Sequence, residues 1–292
     1  MVIVTLIAAD ALRDEAVEEA MGRLRGAGFA VHAPVWIDRG SAADLMLAGE
    51  VAAARKALAD WNAPVDVVVQ DAAGRRKKLI IADMDSTMIT VECIDELADY
   101  AGIKPQIAAI TERAMAGALD FRAALAERVM LLKGMDASVI DHCLAERVAL
   151  MPGARTLVRT MKEHGARAVL VSGGFTRFAQ PVGAEIGFDH VVANALEIKG
   201  GKLTGRVQEP IVDSATKAAT LRSECAALGI DVADALAVGD GANDAAMLEA
   251  AGLGVAYHAH AAARAAADAN VVHGDLTTLL WAQGVPKREW RG

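Results

Sequence analysis

Cysteine is scarce in this sequence. Cys93, Cys143 and Cys225 are the only three in 292 residues, too few and too far apart for a disulfide framework or a zinc-type ligand set. Prolines number 7 and aromatic residues make up only 4%, and the composition is too apolar for a disordered chain and too broken by charge for a multispanning membrane protein. No stretch reaches the roughly 20 apolar residues of a membrane helix, and the mean hydropathy of +0.28 reflects alanine rather than long aliphatic runs. Basic clusters are missing apart from Arg75-Arg76-Lys77-Lys78, and the net charge is −8, which leaves no electrostatic footprint for nucleic acid or an anionic membrane. The opening MVIVTLIAADALRDE has no basic n-region and runs straight into acids, which predicts no signal peptide and a cytoplasmic location. What is present is 54% hydrophobic and 23% charged residues, the composition of a folded globular chain.

Periodicity divides the chain in two. Residues 1–72 read as βαββαβ: a strand at Val2–Ala8, a helix at Asp14–Arg25, a strand at Phe29–Ile37 broken by Pro34, a weak strand near Asp44–Leu47, a helix at Val51–Trp61 and a strand at Val65–Val69. That order is the ferredoxin-like, split-βαβ arrangement. Residues 71–78 (DAAGRRKK) read as a polar linker. Beyond it, Leu79–Ala82 has the form of a buried parallel strand, and Val91 to about Met151 shows helical patterning only. Strands then alternate with helices at Ala168–Val171, Val191–Ala193, Ala235–Val238, Leu253–Ala256 and Asn270–Val272. Such alternation predicts an α/β fold with a doubly wound, Rossmann-like parallel sheet. The all-helical stretch, interrupting the sheet after its first strand, predicts an inserted helical cap. Met130, Met135 and Met151 read as core filler.

Three strands end in polar, glycine-bearing turns: Asp83-Met84-Asp85-Ser86-Thr87, Ser172-Gly173-Gly174-Phe175 and Gly239-Asp240-Gly241-Ala242-Asn243-Asp244. Open α/β sheets bind ligands outside the carboxyl ends of their strands, so these turns converge on one cleft. Asp83 and Asp85, at i and i+2, can point the same way, and two like charges so placed call for a cation or a shared proton. The plainer alternative is that Asp85, Ser86 and Thr87 cap the next helix. Asp240 and Asp244 add carboxylate oxygens, a donor set suited to Mg²⁺ rather than Zn²⁺. Reading the third turn as a dinucleotide loop fails, because Asp244 at the last glycine position would repel a pyrophosphate. Ser172-Gly173-Gly174 offers a hydroxyl and open N–H groups for an anion. His258-x-His260 lacks a third ligand nearby and reads as loop histidine, and Cys93 as a packing residue.

Taken in order, Asp-x-Asp-x-Thr, Ser-Gly-Gly, Lys217 and Gly-Asp-Gly-x-Asn-Asp resemble the haloacid-dehalogenase (HAD) superfamily. The longer string Asp83–Leu97, with Val171–Phe175, Gly200–Gly205 and Ala237–Asp244, is similar to its phosphoserine phosphatase branch over about residues 77–280. The resemblance implies a Mg²⁺-dependent phosphoric monoester hydrolase acting on O-phospho-L-serine, the last step of serine biosynthesis, through an aspartyl-phosphate. By that resemblance Asp83 is the nucleophile and Asp85 the general acid and base. Asp83, the backbone carbonyl of Asp85, and Asp240 hold the metal. Ser172, Gly173, Lys217 and Asn243 hold the phosphate, and Asp244 orients Lys217 from behind. Glu92 is expected to take the substrate ammonium, Arg128 its carboxylate, and Met115 and Phe121 to form an apolar wall.

The implied organisation is a HAD domain at 77–292 carrying a cap at 92–150, preceded by an ACT-like unit at 1–72 that regulates, dimerises or braces; a homodimer is one expectation. Two rival readings remain: the same core acting on another small phosphomonoester or as a phosphotransferase, and an inactive amino-acid sensor. Nothing in the pattern implies nucleic-acid or membrane partners.

Overall fold

The computed structural model describes residues 1–115 and 118–292. The amino-terminal unit runs β1 (Val2–Ile7), α1 (Asp14–Gly26), β2 (Val35–Asp38), β3 (Ala42–Leu47), α2 (Val51–Leu58) and β4 (Asp66–Asp71). Its strands form an antiparallel sheet in the order β2-β3-β1-β4. Val2, Val4 and Leu6 alternate onto the face covered by Val17, Met21 and Leu24 of α1 and Ala54 and Leu58 of α2. The strand expected from Phe29 begins only at Val35, and Val31 makes a lone bridge to Leu47. Pro34 has no N–H for the ladder, which confines pairing to the short edge segment after it.

The second sheet is built from β5 (Leu79–Ala82), which is followed by the helices α3 (Cys93–Tyr100), α4 (Lys104–Met115), α5 (Phe121–Leu131) and α6 (Ser138–Arg147). The chain then returns through α7 (Ala154–Glu163), β6 (Arg167–Phe175), α8 (Thr176–Ile186), β7 (His190–Lys199), β8 (Lys202–Gln208) and α9 (Ser214–Leu228). It closes with β9 (Ala235–Gly239), α10 (Ala245–Ala250), β10 (Leu253–Tyr257), α11 (Ala261–Ala266), β11 (Ala269–Val271) and α12 (Thr278–Ala282). The strand order is β11-β10-β9-β5-β6-β7-β8, parallel except for the antiparallel β7–β8 hairpin. Sequence periodicity missed β8, whose apolar residues are too sparse to register as a strand without its partner.

Alternation decides which face each strand residue serves. Leu79, Ile81, Val169, Val171, Ala235 and Ala237 pack with Leu221 of α9 and Met247 and Leu248 of α10. Ile80, Ala82, Leu170, Leu236 and Val238 pack on the opposite side with Leu157 and Val158 of α7 and Phe178 and Val182 of α8. Both faces are therefore covered, as a parallel sheet requires. The four helices α3–α6 lie between β5 and α7 and close over the carboxyl ends of the strands, with α5 leaning on β8. Met130 on α5 is 49% exposed and not core as its spacing suggested; its sulfur lies over Gly205 of β8. Among the described residues no helix is long and apolar enough to cross a membrane.

The segment read as a linker is an anchor. Arg75, with a side chain only 14% exposed, forks onto both oxygens of Asp44 at 2.6 and 2.7 Å. It also reaches Thr5 Oγ1 and the carbonyls of Trp281 and Ala282 at the end of α12. Asp66 accepts the N–H groups of Val272, His273 and Gly274 just after β11. The free face of the amino-terminal sheet is thus occupied by the larger unit, and Ile7, Ala42 and Val68 share its core cluster. Arg75→Ala should cost about 3 kcal/mol of stability, because it strands the Asp44 carboxylate in a dry contact. Arg75→Lys should recover little of this for lack of the planar fork. Urea melts of the three proteins check it.

Candidate active site

Asp83 follows β5 directly, where its N–H continues the ladder to the Val238 carbonyl of β9. Its carboxylate is held by two donors on one oxygen: the Met84 N–H at 2.7 Å and the Lys217 ammonium at 2.8 Å, both to Oδ1. Lys217 comes from the first turn of α9 and has no solvent exposure. Its Nζ also donates to Asp244 Oδ1 at 2.7 Å. One of its three N–H groups remains for another acceptor. The second oxygen of Asp244 accepts the N–H groups of Asp240 and Gly241, so this carboxylate is fully engaged behind the turn. Gly239 must be glycine here, since a Cβ would run into the Asp244 carboxylate.

Asp83, Asp240 and Asp244 each place a carboxylate oxygen within 4.8 Å of the others. Three buried carboxylates face one ammonium, an imbalance that burial makes costly. Burial and the Asp244 charge push the Asp83 carboxyl well above its usual range, with Lys217 working against them. Burial raises Asp240 to about 6, partly offset by the Thr87 hydroxyl on its Oδ1. Burial disfavours the Lys217 charge, yet Asp83 and Asp244 outweigh it and hold its pKa above the usual value. An all-oxygen donor set with surplus negative charge fits a hard divalent cation. Because Asp244 has spent both oxygens, Asp83 and Asp240 are the carboxylates free to hold one.

Asp85 lies apart from that cluster. Its Oδ1 accepts the Cys93 N–H at the start of α3, so of the three residues in the plainer capping reading only Asp85 reaches a helix N–H; Ser86 and Thr87 donate to Glu92 and Asp240 instead. It lines the same cavity as Asp83 nonetheless. Burial raises its pKa to about 7, and the Glu92 charge adds to this. Gly174 makes room for it: a Cβ there would sit 2.7 Å from Asp85 Oδ2 and 3.0 Å from Ser172 Oγ. Ser172, fully buried, accepts the Gly174 N–H on its oxygen and keeps its own hydrogen free to donate. Ser86 adopts a left-handed φ of 55° and donates its hydroxyl to Glu92 Oε1 at 2.8 Å.

A cavity of about 540 Å³ gathers Asp83, Asp85, Glu92, Phe121, Arg128, Ser172, Gly173, Asp240 and Asn243. Lys217 and Asp244 lie beneath its floor. The Phe121 ring packs over Gly173, 3.3 Å from where a Cβ would stand. The Met115 side chain falls outside the described part of the structure. Half-buried Arg128 is held by the Ala124 carbonyl, and burial lowers its pKa against the pull of Asp95 and Glu92. Sequence reasoning offered Thr87 only as a helix-cap candidate, whereas its hydroxyl binds Asp240; its place in Asp-x-Asp-x-Thr was the available signal. It also set aside His260, which lines the cavity and whose N–H binds the Asp240 carbonyl. Nothing in the sequence flagged Asn194.

A doubly wound sheet with buried carboxylates at its strand ends and a helical insertion above them defines a class of capped α/β hydrolases. The haloacid dehalogenase-like hydrolase family model matches residues 80–249, more than half of the sequence, and the chain belongs to that family. The phosphoserine phosphatase SerB2 of Mycobacterium tuberculosis is 49% identical over 227 residues, covering 77% of this chain and 55% of that protein. The chain therefore spans little more than half the length of that curated relative. A HAD family hydrolase from Salmonella enterica serovar Typhi superposes with a TM-score of 0.84 at 29% identity, covering 97% of this chain and 98% of that one. An unliganded probable phosphoserine phosphatase from Vibrio cholerae gives 0.76 at 32% identity, over 97% of this chain and 87% of that one.

Stripped of divalent cations, Asp85 and Asp240 bind protons more tightly folded than unfolded. The stability they contribute is complete below about pH 4 and drains as the pH rises through about 6 and then 7. Asp83 moves the same way. Added Mg²⁺ should accordingly raise the melting temperature more at about pH 8 than at about pH 5. Equal shifts at both would show that these carboxylates do not hold the ion.

Proposed function

We propose that the chain is a Mg²⁺-dependent phosphatase that hydrolyses O-phospho-L-serine to serine and phosphate. The observation that carries this reading is the pair Glu92 and Arg128. They share one cavity with Asp83, Asp85 and Ser172, and among the described residues neither has an oppositely charged side chain in salt-bridge contact. Two half-satisfied charges of opposite sign beside a phosphate cradle suit a zwitterion: an ammonium for Glu92 and a carboxylate for the planar fork of Arg128. Phe121 closes the apolar side and keeps water out, and Met115 is assigned to the same wall.

Asp83 Oδ attacks phosphorus in line, and the bond from phosphorus to the serine oxygen breaks as the aspartyl-phosphate forms. Asp85 gives its proton to that oxygen, and a pKa of about 7 supports this role. Asp85, now ionised, takes a proton from water, whose oxygen attacks phosphorus and releases phosphate and free Asp83. Ser172, the Gly173 N–H, Asn243 and the remaining N–H of Lys217 hold the phosphoryl oxygens as charge spreads over them. Asp83, Asp240 and the backbone carbonyl of Asp85 would hold Mg²⁺, which supplies the positive charge that lets a carboxylate approach a phosphate dianion. Asp244 keeps Lys217 charged and aimed.

In this reading 77–292 is the phosphatase domain, 92–150 its cap, and 1–72 an ACT-like unit for regulation or dimerisation, in a cytoplasmic enzyme that takes a small molecule. Phosphate release from phosphoserine should require Mg²⁺, stop with EDTA, and exceed that from an aryl phosphate. Asp83→Asn should abolish both. Arg128→Ala should raise the KM for phosphoserine by about 10- to 100-fold and leave that for the aryl ester unchanged. Aryl phosphate turnover without that preference would keep the chemistry and discard the substrate; silence on every ester would discard the enzyme.

A further inference from the structure

The Ser172-Gly173-Gly174 turn exists because β6 and β7 lose register there: pairing runs to Ser172 with Ala193 and resumes only at Phe175 with Asn194. The backbone groups thrown out by that slip need partners beside a cavity. Asn194 supplies one. Its side chain is fully buried, and Nδ2 donates to the Gly173 carbonyl at 2.8 Å. The same amide turns its other edge to the loop before α9. Oδ1 accepts the Val212 N–H at 2.8 Å, and Nδ2 lies 3.4 Å from the Val212 carbonyl.

A planar amide that donates and accepts at once does here what a strand backbone would do, bridging two loops that share no ladder of their own. Val212 leads directly into the start of α9. Asp213 caps that helix through the Thr216 N–H at 3.0 Å, and its carbonyl accepts the Lys217 N–H at 3.0 Å. One buried side chain thus ties the Ser172–Gly173 anion turn to the helix start that carries Lys217. Asn194 does not line the cavity.

We infer that Asn194 is a positioning residue that sets the spacing between the two halves of the phosphate cradle, Ser172–Gly173 on one side and Lys217 on the other. The inference rests on the proposed reaction for the cradle's role but not on the identity of the alcohol. Asn194→Asp, nearly isosteric, keeps the acceptor for Val212 and turns an oxygen toward the Gly173 carbonyl. It should lower kcat about 10- to 100-fold on phosphoserine and on an aryl phosphate alike, and weaken inhibition by inorganic phosphate in parallel. The ratio of the two substrates' KM values should stay constant, unlike the Arg128 variant. Leu196→Ala, a buried change on the same strand, should lose melting temperature while keeping kcat and phosphate inhibition, which separates positioning from general destabilisation.

A folded Asn194→Asp enzyme within twofold of the wild type in kcat and phosphate inhibition overturns the inference. Should that variant not fold, the wild-type holoenzyme tests it directly. The Val212 amide should exchange slowly with solvent, and added inorganic phosphate should slow it together with Gly173 and Gly174. A freely exchanging Val212 amide, or one indifferent to phosphate, also overturns it. A wild type that cleaves the aryl ester but ignores phosphoserine fails the substrate reading and leaves this test intact.

Discussion

A lysine ammonium without solvent contact governs the architecture of this protein. Lys217 stays charged in the interior only because Asp83 and Asp244 flank it at 2.8 and 2.7 Å. An unpaired buried charge costs several kcal/mol, so the three residues have to arrive together. They come from three different places: the end of β5, the turn after β9 and the first turn of α9. The adjacency of β5 and β9 in the sheet, the packing of α9 against it and the tight Gly239 turn all serve that meeting. The same ion cluster leaves negative charge in excess on the cavity side, and this surplus gives the site its demand for a cation.

Around this core the cavity separates tasks by environment. Asp83 at the floor and Asp244 beneath it are locked by backbone N–H groups and by Lys217. Asp85, one step outward, is bound by the Cys93 N–H and pushed toward neutrality by burial and Glu92. Glu92 at the start of α3 and Arg128 on α5, further out, make no salt bridge among the described residues. Charge is thus most fully compensated where rigidity is needed and least compensated where a ligand would enter. Ser86 shows what this arrangement demands of the backbone: a non-glycine residue in the left-handed region, with its hydroxyl steadying Glu92.

The amino-terminal unit is joined to the rest by more than a tether. Its sheet presents Thr5, Asp44 and Gln70 on the inner face, polar residues that would be out of place against an apolar partner. Arg75 satisfies Thr5 and Asp44, and Gln70 donates its amide to the Ala282 carbonyl at the end of α12, although its Oε1 stays buried without a partner among the described residues. Asp66 closes the gap between the edges of the two sheets by taking N–H groups beyond β11. A contact assembled from so many directional bonds fixes orientation more than it adds stability.

The strands of both sheets except β8 and the misplaced start of β2, the helical insertion and the three strand-end turns were legible in the sequence. Each is a local matter of period, turn chemistry or spacing: Leu79–Ala82 reads as a buried strand, and Asp83 and Asp85 share a face because their spacing is two. Other features had no local signal. Arg75 read as one of four bases in a polar linker, β8 gave no strand signal, and Asn194, just past the strand read at Val191–Ala193, gave none at all. Asp85 proved to be both helix cap and cavity carboxylate, a coincidence that only folding creates. The physical reason is range. Periodicity and turn preference act between neighbours in the chain, whereas the partners of Arg75 and Asn194 lie many residues away and are chosen only once the sheets and helices have packed. Local sequence determined the elements and the chemistry at their ends; tertiary packing decided which buried polar groups hold those ends at working distance.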